Sequence, residues 1–172
     1  MAVSVFPTPS GSSVPNWTLL QTATPSGVLT ATFSGLSGYS RYRVIMNITT
    51  STGTGQSLYL IINGDTTITN YPGGFSNATS ATAFANGNGF GNQSSTSAST
   101  KQVSEWEIDN ALLATHKKVV WSAPISNNGS GIGALLNGNG LYLGSSVISS
   151  LAVNAIGGTQ TMTGSVYLLG AN

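Results

Sequence analysis

The sequence predicts an all-β fold: an antiparallel β-sandwich or jelly roll with an extended N-terminal arm. Three observations carry this expectation. Apolar and polar residues alternate with period two along several segments, the mark of half-buried strands. Gly, Pro and Asn punctuate the chain roughly every 8–12 residues, the spacing of sandwich turns. The only stretch of helical composition, Asn110–Thr115, is one turn long and suits a connection between two strands. A chain of 172 residues is most simply one domain. Residues 1–16 form the expected arm and 17–172 the sandwich, with a long Gly/Asn/Ser loop at about 73–100.

The arm is rich in Pro and Ser, from Phe6-Pro7-Thr8-Pro9 to Val14-Pro15. Proline lacks an N–H and pushes its predecessor towards extended geometry. Val5, Phe6, Val14 and Trp17 give the arm something to bury. In Val28–Leu36, Leu29, Ala31 and Phe33 face one way and Thr30, Thr32 and Ser34 the other. In Arg41–Thr50, Tyr42, Val44, Met46 and Ile48 form the apolar face, opposite Arg41, Arg43, Asn47 and Thr49. Leu58–Ile62 is apolar on both faces, which predicts a central or interface strand. Asn63-Gly64-Asp65 follows, and Asn-Gly supplies the positive φ angles of a tight hairpin turn. Thr66–Tyr71 is then the expected return strand.

Residues 73–100 read as a long adaptable loop, with a short strand near Thr82–Ala85. Strands resume in Val103–Asp109, where Trp106 and Ile108 face away from Glu105, Glu107 and Asp109. Lys117–Ala123 aligns Val119 with Trp121. Asn127–Gly131 and Asn137-Gly138-Asn139-Gly140 read as turns. Leu141–Leu143, Val147–Ala155 and Gln160–Leu169 complete the strands.

Composition narrows the function. Charged residues are 5% of the chain, against roughly 25% ordinarily. Five Lys+Arg cannot track a phosphate backbone, so no nucleic-acid partner is expected. The absence of Cys excludes disulfide frameworks, thiolate catalysis and Cys-based metal sites. A single His, His116, excludes multi-His metal centres, and no cofactor is expected. No apolar run approaches the roughly 18 residues of a membrane helix, and the N-terminus lacks the features of a signal peptide. Gly, Ser, Thr and Asn together approach half the residues, so they must form most of the surface.

Few residues offer chemistry. Glu105, Glu107 and Asp109 stand at i, i+2 and i+4 on one strand face, with neighbours about 6.5–7 Å apart. That spacing fits a glycosidase carboxylate pair, or some ligands of a calcium ion. The plainer reading is a solvated face paired across strands with Lys117 or Lys118. His116 has no Gly-x-Ser-x-Gly elbow to serve. The glycine-rich runs at 87–91 and 129–133 precede no helix and lack the Gly-Lys-Ser/Thr of a phosphate loop. Trp106 and Trp121 fall on apolar faces and read as core, not as a sugar-stacking platform. No catalytic or metal-binding residue is expected.

The run Leu58-Tyr59-Leu60-Ile61-Ile62-Asn63-Gly64-Asp65-Thr66, followed by Asn70-Tyr71, resembles a recurrent segment of small virion structural proteins of tailed bacteriophages. Phe33-Ser34-Gly35-Leu36-Ser37-Gly38-Tyr39-Ser40-Arg41-Tyr42-Arg43-Val44 resembles their "strand, short turn, Tyr, strand" entry. Thr163-Gly164-Ser165-Val166-Tyr167-Leu168-Leu169-Gly170 is similar to their closing strand. The resemblance implies a jelly-roll or β-sandwich subunit, commonly a homotrimer, on the outside of a virion. It implies a capsid decoration (cement) protein that bridges major capsid proteins, and no catalytic residue. The alternative is a tail-fibre or baseplate module contacting a host glycan. On the first reading, Val5, Phe6, Pro7, Pro9, Val14 and Pro15 of the arm are the expected capsid or subunit contacts.

Overall fold

The computed structural model describes residues 15–51, 57–76, 81–84, 89–93, 101–126, 132–156 and 161–172. Thirteen strands lie among them: β1 (Thr18–Ala23), β2 (Ser26–Val28), β3 (Thr30–Ser34), β4 (Arg41–Thr50), β5 (Ser57–Ile62), β6 (Gly73–Ser76), β7 (Ala81–Phe84), β8 (Phe90–Gln93), β9 (Lys101–Ile108), β10 (Lys117–Ser126), β11 (Ile132–Tyr142), β12 (Ser150–Ile156) and β13 (Met162–Ala171). The only helix among the described residues is a 3-10 turn at Ile68–Asn70.

The strands form two antiparallel sheets that pack face to face. One runs β1-β13-β4-β9-β10-β11-β6-β7, with β2 also on β13; the other runs β3-β12-β5-β8. Eight strands pair in a nested way, first with last and so inwards. β1 pairs with β13, β3 with β12, β4 with β9 and β5 with β8. This nesting, rolled into two four-stranded halves, is the jelly roll. Two insertions enlarge it. β6 and β7 leave between β5 and β8, and β10 and β11 leave between β9 and β12. Both insertions continue the first sheet beyond β9.

Period two explains the core. Tyr42, Val44, Met46 and Ile48 of β4 are buried, as are Trp106 and Ile108 of β9, Val119 and Trp121 of β10, and Val166 and Leu168 of β13. They meet Ala31 and Phe33 of β3, Leu58, Leu60 and Ile62 of β5, and Leu151 and Val153 of β12. Each large apolar side chain so buried contributes about 1.5–3 kcal/mol before its ordering cost. The Trp106 indole Nε1–H donates to the Phe90 carbonyl at 3.1 Å, tying β9 to β8 across the sandwich. As the two-faced apolar pattern predicts, β5 is internal, between β12 and β8.

Three expectations need correction. Thr66–Tyr71 is not a return strand: β5 pairs with β12 and β8, and the segment folds into the 3-10 turn. The turn itself forms as expected, with Asn63 at φ 54° and Gly64 at φ 67°. Asp65 then accepts hydrogen bonds from the residues that would have paired as a strand, and this local capture wins. Second, the segment 73–100 carries the short strands β6, β7 and β8 among its described residues, of which only β7 was foreseen.

Third, Asn137-Gly138-Asn139-Gly140 lies inside β11, paired with β10 from Tyr142 to Ile132. The glycines sit at i and i+2, so both face the core while Asn137 and Asn139 are exposed. A Cβ on Gly138 would lie 2.0 Å from Trp121, and one on Gly140 2.5 Å from Phe90. The alternation is that of a strand whose inner positions are vacated for aromatic rings.

Candidate functional site

Chemistry-bearing side chains gather in two places: the outer face of the larger sheet and one end of the sandwich. On the outer face, Glu105, Glu107 and Asp109 do form one row, as the sequence predicts. Their partners are not the lysines. Arg41 binds Glu107, and its Nε lies 2.7 Å from Asp109 Oδ1. Arg43 lies 3.0 Å from Glu105 and 2.7 Å from Glu107. The register places Arg43 opposite Glu107, because β4 and not only β10 flanks β9. The half-buried Trp17 ring covers both guanidinium groups, with centroid distances of 4.3 Å to Arg43 and 5.5 Å to Arg41. The row is thus a closed ion-pair ladder. Five of the nine charged side chains in the sequence compose it, and what it does is hold β4, β9 and the start of β1 together.

The shared member should matter most. The Glu107 side chain is 18% exposed and serves both arginines, whereas that of Glu105 is 40% exposed and serves one. Glu107→Gln is expected to cost about 1–2 kcal/mol and Glu105→Gln about 0.5 kcal/mol or less. Urea unfolding of both variants measures the difference, and equal costs would mean that the ladder is not cooperative.

Lys117 points the other way from these acids. It shares the parity of Val119 and Trp121, is fully buried, and donates from Nζ to the Leu113 carbonyl at 2.7 Å and to the Thr115 carbonyl. Burial holds its ammonium below the ordinary lysine range. Its parity with Val119 was the signal in the sequence that could have placed it. Lys118 and His116 are exposed.

The end of the sandwich that carries Arg41, Ile62, Ile108, Lys117 and Ser150 holds loops 35–40, 63–72, 109–116 and 143–149. Each is latched to another. Leu36 N donates to Ser149 O at 3.0 Å, Ala111 N to Ser40 O at 2.8 Å, Ile148 N to Ala111 O at 2.9 Å and Leu143 N to Asn70 O at 3.0 Å. Asn63 Oδ1 accepts from Ser149 N at 2.8 Å and Ser150 N at 3.1 Å, while its Nδ2 donates to Val147 O at 2.9 Å.

Asp65 is the second latch. Its carboxylate accepts from Thr67 N at 2.8 Å, Asn70 Nδ2 at 2.7 Å and the Tyr142 hydroxyl at 2.9 Å. The Tyr71 hydroxyl donates to the Asp65 carbonyl at 2.6 Å. The segment Asn63-Gly64-Asp65…Asn70-Tyr71, which carries the resemblance noted above, therefore acts as a brace between β5, β11 and β12.

Burial works to raise the Asp65 carboxyl, but hydrogen bonds from Asn70, Thr67 and Tyr142 outweigh it and hold the group below the ordinary range. Tyr71 and Tyr142 are pushed well above the usual phenol range, first by burial; the nearby Asp65 charge adds to this in both. The signs follow from linkage. A depressed carboxyl stabilises the fold above its unfolded value near pH 4 and loses that contribution as pH falls through the folded value. A raised phenol stabilises below about pH 10 and loses its contribution as pH rises further. Thermal unfolding should therefore show an acid slope below about pH 4, and Asp65→Asn should flatten it. An unchanged acid slope in that variant would overturn the assignment to Asp65.

Large apolar side chains stand exposed around this latched end: Ile68, Leu112, Leu113, Leu141 and Val147. Of the arm residues expected as contacts, Val5, Phe6, Pro7, Pro9 and Val14 lie outside the described residues, and Pro15 is half-buried. Among the described residues, no group of three or more His, Asp or Glu could hold a metal ion, and no helix is long and apolar enough to cross a membrane. Searches for family models, curated relatives and similar solved structures found no match.

Proposed function

We propose that the protein is a non-enzymatic structural subunit of a phage particle: a capsid decoration protein that trimerises and bridges major capsid proteins. The observation that carries this reading is the nested strand pairing, because the jelly roll is an architecture of viral coat subunits. Two features support it. Five of the nine charged side chains are paired with one another in one ladder, which leaves few charges for contacts that salt would weaken. The latched loops present apolar side chains on a rigid end, which suits docking with little ordering cost.

A subunit that binds only the assembled shell stabilises it by mass action, about 2.7 kcal/mol per site at a hundredfold excess over Kd. Purified protein mixed with undecorated capsids should add density at quasi-threefold positions and raise the temperature of capsid disruption. Capsids that gain no density overturn the reading. Lectin domains share the jelly roll, so a glycan array is the companion test, and specific glycan retention would favour the receptor-binding alternative. That test needs the intact chain, since deleting residues 73–99 would remove β6, β7 and β8.

A further inference from the structure

We propose that the groove beside the 109–116 turn is a docking site for an extended segment of a partner protein that carries an apolar side chain next to a carboxylate. The groove holds about 490 Å³ and is lined by Arg41, Asp109, Asn110, Leu112, Leu113 and Lys118. Leu112 is 43% and Leu113 52% exposed, although the turn that bears them is pinned at Ala111 and Leu113. Leu113 N donates to Asn110 O at 3.1 Å, and Leu113 O accepts from the buried Lys117 ammonium at 2.7 Å. Ala111, one residue earlier, is buried and bonded through N–H and carbonyl to Ser40 and Ile148. Two leucines fixed outwards on a pinned turn are a preorganised apolar contact.

Charge selects the partner. Arg41 is committed to Glu107 and Asp109, and Asp109 to Arg41. Lys118 is exposed and forms no ion pair among the described residues. The groove therefore offers two apolar contacts and one uncommitted cation, which a Leu, Ile or Val next to Asp or Glu would match. Identifying the partner with a shell protein rests on the function proposed above; the chemistry of the groove does not.

Two measurements separate the two. Amide chemical shifts of the full chain, titrated with the end-blocked peptides Gly-Leu-Asp-Leu-Gly and Gly-Leu-Lys-Leu-Gly, test the groove. The acidic peptide should move the amides of Leu112, Leu113 and Lys118, and the basic one should not. Equal responses, or shifts elsewhere, overturn the groove. So do concentration-dependent shifts at these amides without peptide, which would make the occupant a second copy. Shifts there on deletion of residues 1–14 would make it the chain's own N-terminal segment and overturn it equally. Capsid binding by Leu113→Ser and Lys118→Glu variants tests the identification: each should bind at least about tenfold more weakly than wild type. Undiminished binding by both, with wild type bound, refutes the groove as the capsid contact and spares the proposed function. Wild type failing on capsids while the acidic peptide maps to the groove refutes the function and spares the groove.

Discussion

Gly138→Ala should destabilise the protein by about 3 kcal/mol or more, and Gly138→Val should prevent folding. The new Cβ would lie 2.0 Å from Trp121 Cε2 and 2.1 Å from Cζ2. Trp121 cannot yield, because its ring is 4% exposed and packs on Phe90 with centroids 5.7 Å apart. Phe90 in turn meets Tyr71 at 5.2 Å, and Tyr71 meets Tyr142 at 5.2 Å. Displacing the first ring disturbs a row of four. Gly140→Ala meets Phe90 at 2.5 Å and the Pro72 carbonyl oxygen at 2.7 Å, and backbone has even less room to give. Gly64→Ala is the control: it has φ 67° and nothing within 4 Å of its Cβ, so only conformational strain of about 1–2 kcal/mol applies. Denaturant midpoints should rank Gly138 and Gly140 well below Gly64. A Gly138→Ala variant as stable as Gly64→Ala would mean that Trp121 is not seated against β11.

The same glycines show where sequence reading stops. Alternation in β4, β9 and β10 placed Tyr42, Val44, Met46, Ile48, Trp106, Ile108, Val119 and Trp121 on their buried faces correctly, because these large apolar residues share one parity in each strand. In β11 the inner face at 138 and 140 is glycine, which carries no hydropathy signal and reads as a turn by default. The aromatic rings that fill the space come from β8 and β10, far along the chain. The acid row was legible as a row, since Glu105, Glu107 and Asp109 share one parity. Its arginine partners were not, although Arg41 and Arg43 stood on the predicted polar face of β4. Nothing local says that β4 and β9 are neighbours; that follows from the nested pairing of the whole roll. Likewise, Asn63-Gly64 announced its turn correctly, but the capture of Asn70 and Tyr142 by Asp65 depends on where β11 ends.

That capture makes Asp65→Ala the second large effect, expected to cost about 3–4 kcal/mol at pH 7. Three donors lose a charged acceptor at once: Thr67 N, Asn70 Nδ2 and the Tyr142 hydroxyl. The Tyr142 ring is 3% exposed, so its hydroxyl would be left with poor access to water. An unpaired buried donor costs more than the bond itself is worth, which is why removing the acceptor should exceed removing the donor. Tyr142→Phe is accordingly expected to cost about 1–2 kcal/mol, and the double variant less than the sum, with a coupling of about 1 kcal/mol. The cost of Asp65→Ala should shrink as pH falls below about 4, because the unfolded chain then takes up a proton that the folded carboxylate, held below the ordinary range, does not. Urea unfolding of the four species at pH 7 and pH 3 reads all of this. Additive costs would mean that Asp65 and Tyr142 act independently, a cost independent of pH that the carboxylate charge is not what the brace uses, and no cost at all that the loop is held by the Asp65 backbone carbonyl to Tyr71 alone. The brace also anchors the loop that bears Ile68, so amide exchange there should quicken in Asp65→Ala. The Leu112–Leu113 turn, pinned separately through Ala111 and Lys117, should keep its protection.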